Sequence, residues 1–198
     1  MSDGALQVLC VIGTSGRNSV THAVVRDLVG RLRADGLEPD VFDPATEALA
    51  LFNPELSHAT PEFRALKERV DRADVFVLVT PDYHGSVSST LKNFLDHFWQ
   101  EFTGRLFVPV VISHEKGLTV IDQLRTVARQ CYAWTLPYGV SVASQTDCKD
   151  GQMVGDAIRQ RLDMLAADLR VYGTLLARQR AADLAGTAPG YLARLRKK

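Results

Sequence analysis

Two polar loops, each following an apolar segment typical of a β-strand, contain the residue types that could bind a ligand. The first loop, residues 13–21, follows the apolar segment 5–12, and the second loop, residues 80–86, follows the segment 75–79. In an open α/β sheet, ligands bind at the carboxyl ends of the strands. The first loop is suited to a phosphate group, and the second, which contains an aromatic side chain, is suited to a planar ring.

Hydroxyl-bearing and small residues dominate the first loop, and a helical pattern follows it. Such a loop offers backbone N–H groups and hydroxyl donors to a terminal phosphate, and the helix dipole adds to the attraction. Arg17 could reach the same phosphate or a second one. The loop contains neither the Gly-Lys-Ser/Thr of a Walker A motif nor Gly-x-Gly-x-x-Gly. The structural alternative is that Ser19 is an ordinary helix N-cap.

Strand and helix patterns alternate along the chain, which predicts an α/β fold with a parallel sheet covered by helices on both faces. Five strands are predicted at residues 5–12, 37–42, 75–79, 106–113 and 136–143. Helices are predicted at residues 20–34, 61–72, 87–99, 118–132 and 154–178, with Thr60 capping the second. The buried stripe of the last helix is predicted to be Val154, Ile158, Leu162, Leu165, Leu169 and Tyr172. We predict one domain over residues 1–180 and a C-terminal tail or arm at 181–198.

Composition argues against several classes of partner. Lys plus Arg and Asp plus Glu number 23 each, so a neutral chain gives no general case for nucleic acid or an anionic membrane. No apolar run reaches the roughly 18 residues that span a bilayer, and residues 2–4 include no basic segment of a signal peptide. Three widely separated cysteines, Cys10, Cys131 and Cys148, are typical of a reduced cytoplasmic protein.

Histidines and nucleophiles form no recognisable catalytic or metal-binding spacing. The five histidines lack His-x-x-x-His spacing, so no metal site is predicted. No Ser-His-Asp arrangement is suggested by position, so hydrolase chemistry is not expected. His97 is predicted at the surface or at an interface. The aromatic residues Phe98, Trp99 and Phe102 are predicted to belong either to the core or to a dimer interface.

Both loops resemble motifs of the NAD(P)H-dependent FMN reductase family. The segment 13–19, Gly-Thr-Ser-Gly-Arg-Asn-Ser, is similar to the family's Gly-Ser-x-Arg-x-x-Ser. The segment 80–86, Thr-Pro-Asp-Tyr-His-Gly-Ser, followed by Leu-Lys-Asn at 91–93, is similar to Thr-Pro-Glu-Tyr-x-Gly-Ser and the Leu-Lys-Asn helix. The resemblance implies a flavodoxin-like three-layer sandwich with strand order 2-1-3-4-5. It also implies one FMN per subunit and a homodimer or homotetramer.

The resemblance implies a role in FMN binding for residues of both loops. The phosphate would be surrounded by Thr14, Ser15, Arg17, Ser19, Val20 and Thr21. The pyrimidine side of the isoalloxazine would lie along Pro81, Asp82, Tyr83, His84 and Gly85, whose backbone N–H groups would stabilise the negative charge of the reduced ring. The loop after the fourth strand, beginning with Ser113 and His114, would lie near the flavin. No catalytic acid is predicted.

The implied activity is an FMN-dependent oxidoreductase. NADPH or NADH would deliver hydride to flavin N5, and a small-molecule acceptor would then take the electrons: free flavin, a quinone, an azo compound or a metal oxyanion. Where the family has a Gly-rich loop, residues 113–117 read Ser-His-Glu-Lys-Gly, a departure that leaves the electron donor open. Two alternatives remain. One is an FMN enzyme that acts on one specific biosynthetic intermediate, and the other is a flavodoxin-like electron-transfer protein, against which the neutral charge argues.

Overall fold

The computed structural model describes residues 4–114 and 116–196 and has an α/β fold. The strands are β1 Val8–Ile12, β2 Asp40–Phe42, β3 Val75–Tyr83, β4 Ser86–Val87, β5 Leu106–Ser113, β6 Trp134–Thr135, β7 Val140–Ala143, β8 Cys148–Lys149 and β9 Gln152–Met153. The α-helices are α1 Val20–Ala34, α2 Pro61–Arg72, α3 Ser89–Asp96, α4 Leu118–Gln130 and α5 Asp156–Ala185.

The central sheet is parallel and has the order β2-β1-β3-β5-β6, with β7 also paired to β5. This order confirms the predicted flavodoxin-like arrangement, in which β5 is the predicted fourth strand. The predicted fifth strand, residues 136–143, is divided: β6 pairs with the start of β5, and β7 pairs with its end. Pro137 and Gly139 lie in the interruption, where proline removes a backbone donor from the ladder.

Both faces of the sheet are covered, so its central strands are apolar along their whole length. Alternate residues of β1 point to opposite faces, as strand geometry requires. Val8, Cys10 and Ile12 join the core against α1 and α5, whereas Leu9 and Val11 join the core against α2, α3 and α4. Every residue of β1 and β5 is buried. The continuous apolar run was therefore enough to locate these strands.

Three helices begin at a polar N-cap, and two of these caps, Ser19 and Thr60, were named from the sequence. Ser19 accepts a hydrogen bond from the backbone N–H of His22 in the first turn of α1. Thr60 caps α2 in the same way, with Pro61 in the first turn, which confirms that prediction. Ser88 caps α3. These caps fix where the polar loops end and the helices begin.

The last helix is longer than predicted, because it continues to Ala185. Ile158, Leu162, Leu165 and Leu169 form its buried stripe. The prediction is wrong for Val154, which precedes the helix, and for Tyr172, since their side chains are 41% and 46% exposed. The helix crosses residue 180, and the division of domain and tail at that point stays a prediction. Lys197 and Lys198 of the tail lie outside the described residues.

His97 lies in the core, so its predicted surface position is wrong. It is 4% exposed, and its Nδ1 lies 2.8 Å from the carbonyl oxygen of Asn93. The segment after β2 covers it, with the Phe52 ring edge-on at 5.1 Å between centroids. Of the aromatic residues that follow, Phe98 and Phe102 are buried in the core and Trp99 is exposed. Phe98 and Phe102 therefore belong to the core, the first of the two predicted alternatives, whereas Trp99 does not.

Among the helices of residues 4–114 and 116–196, none is both long and apolar enough to cross a membrane. The same residues contain no group of three or more His, Cys, Asp or Glu side chains placed to hold a metal ion.

Candidate active site

Three loops meet at the carboxyl edge of the sheet. They follow β1, β3 and β5, which are neighbours in the sheet order. The first loop begins at Gly13, whose N–H donates to the carbonyl oxygen of Val79 at 2.7 Å. The loops therefore converge because parallel pairing brings the carboxyl ends of β1, β3 and β5 together.

The approach at Gly13 leaves no room for a side chain. A Cβ atom there would lie 2.7 Å from the carbonyl oxygen of Val79 and 3.0 Å from Cα of Thr80. Both atoms belong to the backbone of β3 and cannot rotate away. Glycine is therefore required for the first loop to leave the sheet beside the second.

A buried hydroxyl network, formed by Thr80 and Ser88, joins the first two loops from below. Ser88 Oγ donates to the Gly13 carbonyl oxygen at 2.6 Å and accepts from the backbone N–H of Leu91 at 3.1 Å. Thr80 Oγ1 lies 3.2 Å from Ser88 Oγ. Sequence reasoning missed Ser88, although its position three residues before Leu91 is the spacing of a helix N-cap.

The residues predicted to surround a phosphate occupy different depths in the first loop. Ser15 and Arg17 are exposed, and Ser19 is half-buried at the N-terminus of α1. Thr14 is buried, and its Oγ1 accepts from the N–H of Gly16 at 3.2 Å. Val20 is half-buried and Thr21 is buried, both in the first turn of α1. Thr14 therefore shapes the loop, whereas the Ser15 hydroxyl and the Arg17 side chain lie at the surface.

The second loop is a tight hairpin between β3 and β4. Tyr83 pairs with Ser86, and the two residues between them, His84 and Gly85, both have positive φ values of 58° and 74°. Positive φ at both central residues is the signature of a type I′ turn, in which both residues adopt the left-handed conformation. Asp82 supports the turn, because its Oδ1 accepts from the Gly85 N–H at 2.8 Å.

The hairpin is also held from the side by α4 and β5. Gln123 Oε1 accepts from the backbone N–H of Val87 at 3.1 Å, and its Nε2 donates to the Gly85 carbonyl oxygen at 3.0 Å. Asp82 Oδ2 accepts from Ser113 Oγ at 3.1 Å. Gln123 was not predicted, because nothing in the local pattern of α4 distinguishes it from a surface residue. Pro81 lies buried in β3 and has no N–H to donate.

A hydrogen-bonded chain of Ser, His and Asp side chains lies at the N-terminus of α1, although no such arrangement was expected from the sequence. Ser19 Oγ is 2.9 Å from His22 Nδ1, and His22 Nε2 is 3.2 Å from each carboxylate oxygen of Asp43. Asp43 follows β2, which pairs with β1 and so brings the carboxylate beside the first turn of α1. The separation in sequence concealed this arrangement.

An open cleft of about 880 Å³ lies between the hairpin and the third loop. Asp82, His84 and Gly85 line one side, and Ser113, His114 and Lys116 line the other. Glu115 of the predicted charged loop lies outside the described residues. Gly117 turns the chain into α4 with a φ of 54°. The cleft is bordered by the imidazole groups of His84 and His114 and by the ammonium group of Lys116.

Cys10 lies under the site in β1 and takes no part in it. The side chain is fully buried, and burial, with the nearby Asp40 carboxylate as a second cause, raises the pKa of its thiol from 9.0 to about 12. A thiol is a nucleophile only as the thiolate. Cys10 is therefore a small core residue.

The fold defines a flavodoxin-like α/β protein, and the three loops form a candidate ligand site at the carboxyl edge of its sheet. The family model of NADPH-dependent FMN reductase matches residues 6–147. The chain belongs to that family.

Named relatives agree with this assignment. The chain is 34% identical over 138 residues to an FMN-dependent NADPH-azoreductase of Staphylococcus aureus, covering 65% of this chain and 72% of the relative. Among solved structures, it resembles the flavoenzyme NAD(P)H:(acceptor) oxidoreductase of Paracoccus denitrificans, with a TM-score of 0.73, 16% identity and coverage of 85% and 97%. It also resembles an apo NADH:FMN oxidoreductase, with a TM-score of 0.68, 20% identity and coverage of 85% and 90%.

Membership of the family confirms the main functional interpretation. The protein is an oxidoreductase that uses FMN together with NADPH. The two solved structures, at 20% identity and below, support the fold alone.

Proposed function

We propose that the protein transfers electrons from NADPH, through FMN, to a small planar acceptor such as an azo compound or a quinone. The open cleft of about 880 Å³ beside the hairpin is the observation that carries this proposal. The cleft is open to solvent, so an acceptor could enter and leave it beside a bound flavin. The similarity to an azoreductase over 138 residues supports an azo compound as one acceptor.

The first loop would hold the FMN phosphate. Ser15, Arg17 and Ser19 offer two hydroxyls and a guanidinium, and Val20 and Thr21 offer backbone N–H groups of the first helical turn. Those N–H groups have no partner within the helix and carry the positive end of its dipole. Arg17 supplies the one positive charge among these donors, and the hydroxyl and backbone N–H groups are neutral. Such a set of donors suits the phosphate monoester of FMN.

The hairpin and the third loop would hold the isoalloxazine. Asp82, Tyr83, His84 and Gly85 would lie along its pyrimidine side, with Pro81 shaping the segment rather than donating. FMN, when bound, accepts hydride and passes electrons on. The protein's part is to orient the ring and to place fixed dipoles where negative charge develops. The hydrogen bonds of Asp82 and Gln123 fix the hairpin, and the Gly85 N–H, which already donates to Asp82, is not one of the donors to the ring.

The Lys116 ammonium group at the rim of the cleft favours an acceptor that carries negative charge. His84, His114 and Lys116 border the opening, whereas the Asp82 carboxylate is turned to the Gly85 N–H and the Ser113 hydroxyl. An azo compound with a carboxylate would be attracted to this rim, and a neutral quinone would gain less. We therefore expect carboxylated azo compounds to be reduced more efficiently than neutral quinones of similar size.

We also propose that the protein works as a homodimer or homotetramer in the cytoplasm. Val171, Tyr172 and Leu175 are exposed on one side of α5, and such a group of apolar side chains favours self-association. Free cysteines at positions 10, 131 and 148 suit a reducing compartment. Light scattering of the purified protein should give a mass of two or four times 21.8 kDa.

The absorption spectrum of the protein with FMN, before and after anaerobic NADPH, tests the proposal. We expect a flavin spectrum that bleaches with NADPH and recovers when methyl red, a carboxylated azo dye, is added. Menadione serves as the neutral comparison acceptor. A flavin that bleaches but is not reoxidised by either compound would refute the acceptor class, and a flavin that NADPH does not bleach would refute electron transfer from NADPH.

Replacement of one basic group tests the charge preference separately. Lys116→Ala should lower kcat/KM for methyl red severalfold while changing that for menadione little, because only the dye carries a carboxylate. Lys149→Ala is a matched control, since this exposed lysine lies on β8 and not at the cleft. Equal losses for both acceptors would refute an electrostatic role for the rim.

A further inference from the structure

The chain of Ser19, His22 and Asp43 links the proposed phosphate loop to a titratable side chain. Ser19 is the N-cap of α1, and His22 lies three residues later, so both side chains meet over the first turn. His22 is only 9% exposed, and both of its ring nitrogens have partners. A serine can cap a helix without a hydrogen bond to a histidine side chain. The contacts of His22 with Ser19 and Asp43 therefore require a separate explanation.

The hydrogen bonds among Ser19, His22 and Asp43 determine where the protons lie when the His22 imidazole is neutral. The Asp43 carboxylate can only accept, so His22 Nε2 must donate to it. A neutral imidazole then has no proton on Nδ1, which must accept from the hydroxyl of Ser19 at 2.9 Å. Ser19 Oγ also accepts the backbone N–H of His22 at 3.4 Å. The single hydroxyl proton of Ser19 is thus directed at the imidazole and away from the loop.

We propose that His22 is a positioning residue for the cofactor, and that binding of the FMN phosphate is coupled to uptake of one proton by His22. This inference rests on the proposed placement of the phosphate beside Ser19. The proton comes from solvent and binds to Nδ1, which then donates to Ser19 Oγ. The hydroxyl proton of Ser19 is released to donate to a phosphate oxygen, and no bond between heavy atoms forms or breaks.

The surroundings allow the imidazolium to form when an anion arrives. Asp43 faces Nε2 directly, and its position is fixed because Oδ1 also accepts from the Ala45 N–H at 2.9 Å. Behind it, Glu47 accepts from the Asp43 N–H, and the Arg69 guanidinium of α2 is paired with Glu47. The Glu47 charge is therefore largely offset, and Asp43 is the anion that stabilises a protonated His22.

Two further cations lie near this chain. The Arg17 guanidinium donates to the Ala45 carbonyl oxygen at 3.4 Å, and Arg26 lies one turn further along α1. The β8–β9 hairpin approaches α1 beside Arg26, where Cys148 lines a small cavity together with Ser19. The charged residues of the hairpin, Lys149 and Asp150, are exposed. A phosphate dianion beside Ser19 would add a negative charge close to the imidazole, and an added negative charge favours the protonated form. Proton uptake should therefore accompany phosphate binding rather than precede it.

Calorimetric titration with FMN in buffers of different ionisation enthalpy counts the protons taken up. At pH 7.5 we expect the protein to take up about half a proton or more beyond His22→Gln, because histidine titrates between about pH 5 and 8. FMN phosphate itself titrates in this range, and the variant supplies that background. Between pH 6 and 8, Kd for FMN should rise about tenfold more in the protein than in the variant.

Riboflavin, which has no phosphate, separates this inference from the proposed function. With riboflavin, the protein and His22→Gln should take up the same number of protons. His58→Gln is the matched control, because His58 is exposed and packs against Phe52 and Phe63 away from the loop. It should behave like the unmodified protein in every titration. Should His22→Gln fail to fold, Asp43→Asn, which removes the charge facing Nε2, should lower the proton uptake in the same direction.

Two outcomes are distinguishable. FMN could bind more tightly than riboflavin while the unmodified protein, His22→Gln and Asp43→Asn all take up equal numbers of protons. That result would refute coupling through His22 and leave phosphate binding at the first loop intact. If FMN binds no more tightly than riboflavin, the placement of the phosphate at the first loop is refuted, and the inference with it.

Discussion

Replacement of Ser88 by alanine tests whether the buried hydroxyl network couples the two loops of the site. The substitution removes the N-cap of α3, which costs about 1 kcal/mol. It also leaves the buried Gly13 carbonyl oxygen without its 2.6 Å hydrogen bond, which costs about 1–3 kcal/mol more. We therefore expect Ser88→Ala to lower the free energy of unfolding by about 2–4 kcal/mol.

The same substitution should weaken FMN binding, because Gly13 begins the first loop. A loss of about 1.4 kcal/mol at that junction corresponds to a tenfold higher Kd. Urea unfolding of the apo protein and fluorescence titration with FMN measure the two effects. Thr60→Ala is the matched control, since it removes the cap of α2, where Thr60 Oγ1 accepts from the Phe63 N–H at 3.2 Å. It should cost about 1 kcal/mol and leave FMN binding unchanged.

Equal stability losses in Ser88→Ala and Thr60→Ala, with the same Kd for FMN, would show that Ser88 acts only as a helix cap. A large stability loss with an unchanged Kd would show that the network supports the fold without setting the first loop. Either result would refute the coupling inferred from the Gly13 contact.

Three further predictions concern packing, the hairpin and pH. Gly13→Ala should lower the apo unfolding free energy by more than about 2 kcal/mol in urea, because its Cβ would lie 2.7 Å from the Val79 carbonyl oxygen; wild-type stability would refute this. Gln123→Ala should lower kcat/KM for NADPH about tenfold, because it removes the hydrogen bonds to Val87 at 3.1 Å and to Gly85 at 3.0 Å that hold the hairpin. The melting temperature should change little, and an unchanged turnover would contradict this prediction. Cys10, whose pKa burial raises from 9.0 to about 12, should make the protein less stable as pH rises from 9 to 12, because only the unfolded thiol loses its proton there. Urea unfolding of Cys10→Ala over that range should show a flatter dependence, and an identical slope would argue against this cause.

Much of the fold could be predicted because burial leaves a local trace in the sequence. A strand covered on both faces must be apolar throughout, which located β1, β3 and β5. The polar loops after β1 and β3 could be recognised as a site because parallel strands end at a common edge. The divided fifth strand and the exposed Tyr172 were not predicted. An apolar pattern shows which side chains tend to be buried, but it does not show which segment of the protein packs against them.

The sequence by itself determined the strand and helix order, the two loops and their resemblance to the FMN reductases. Only the tertiary structure decided which side chains meet. Ser88 reaches Gly13 across 75 residues, and Asp43 reaches His22 across 21. His97 is buried because the segment after β2 folds over it. Such contacts depend on which strands are neighbours in the sheet, and pairing between distant segments leaves no periodic trace in either of them.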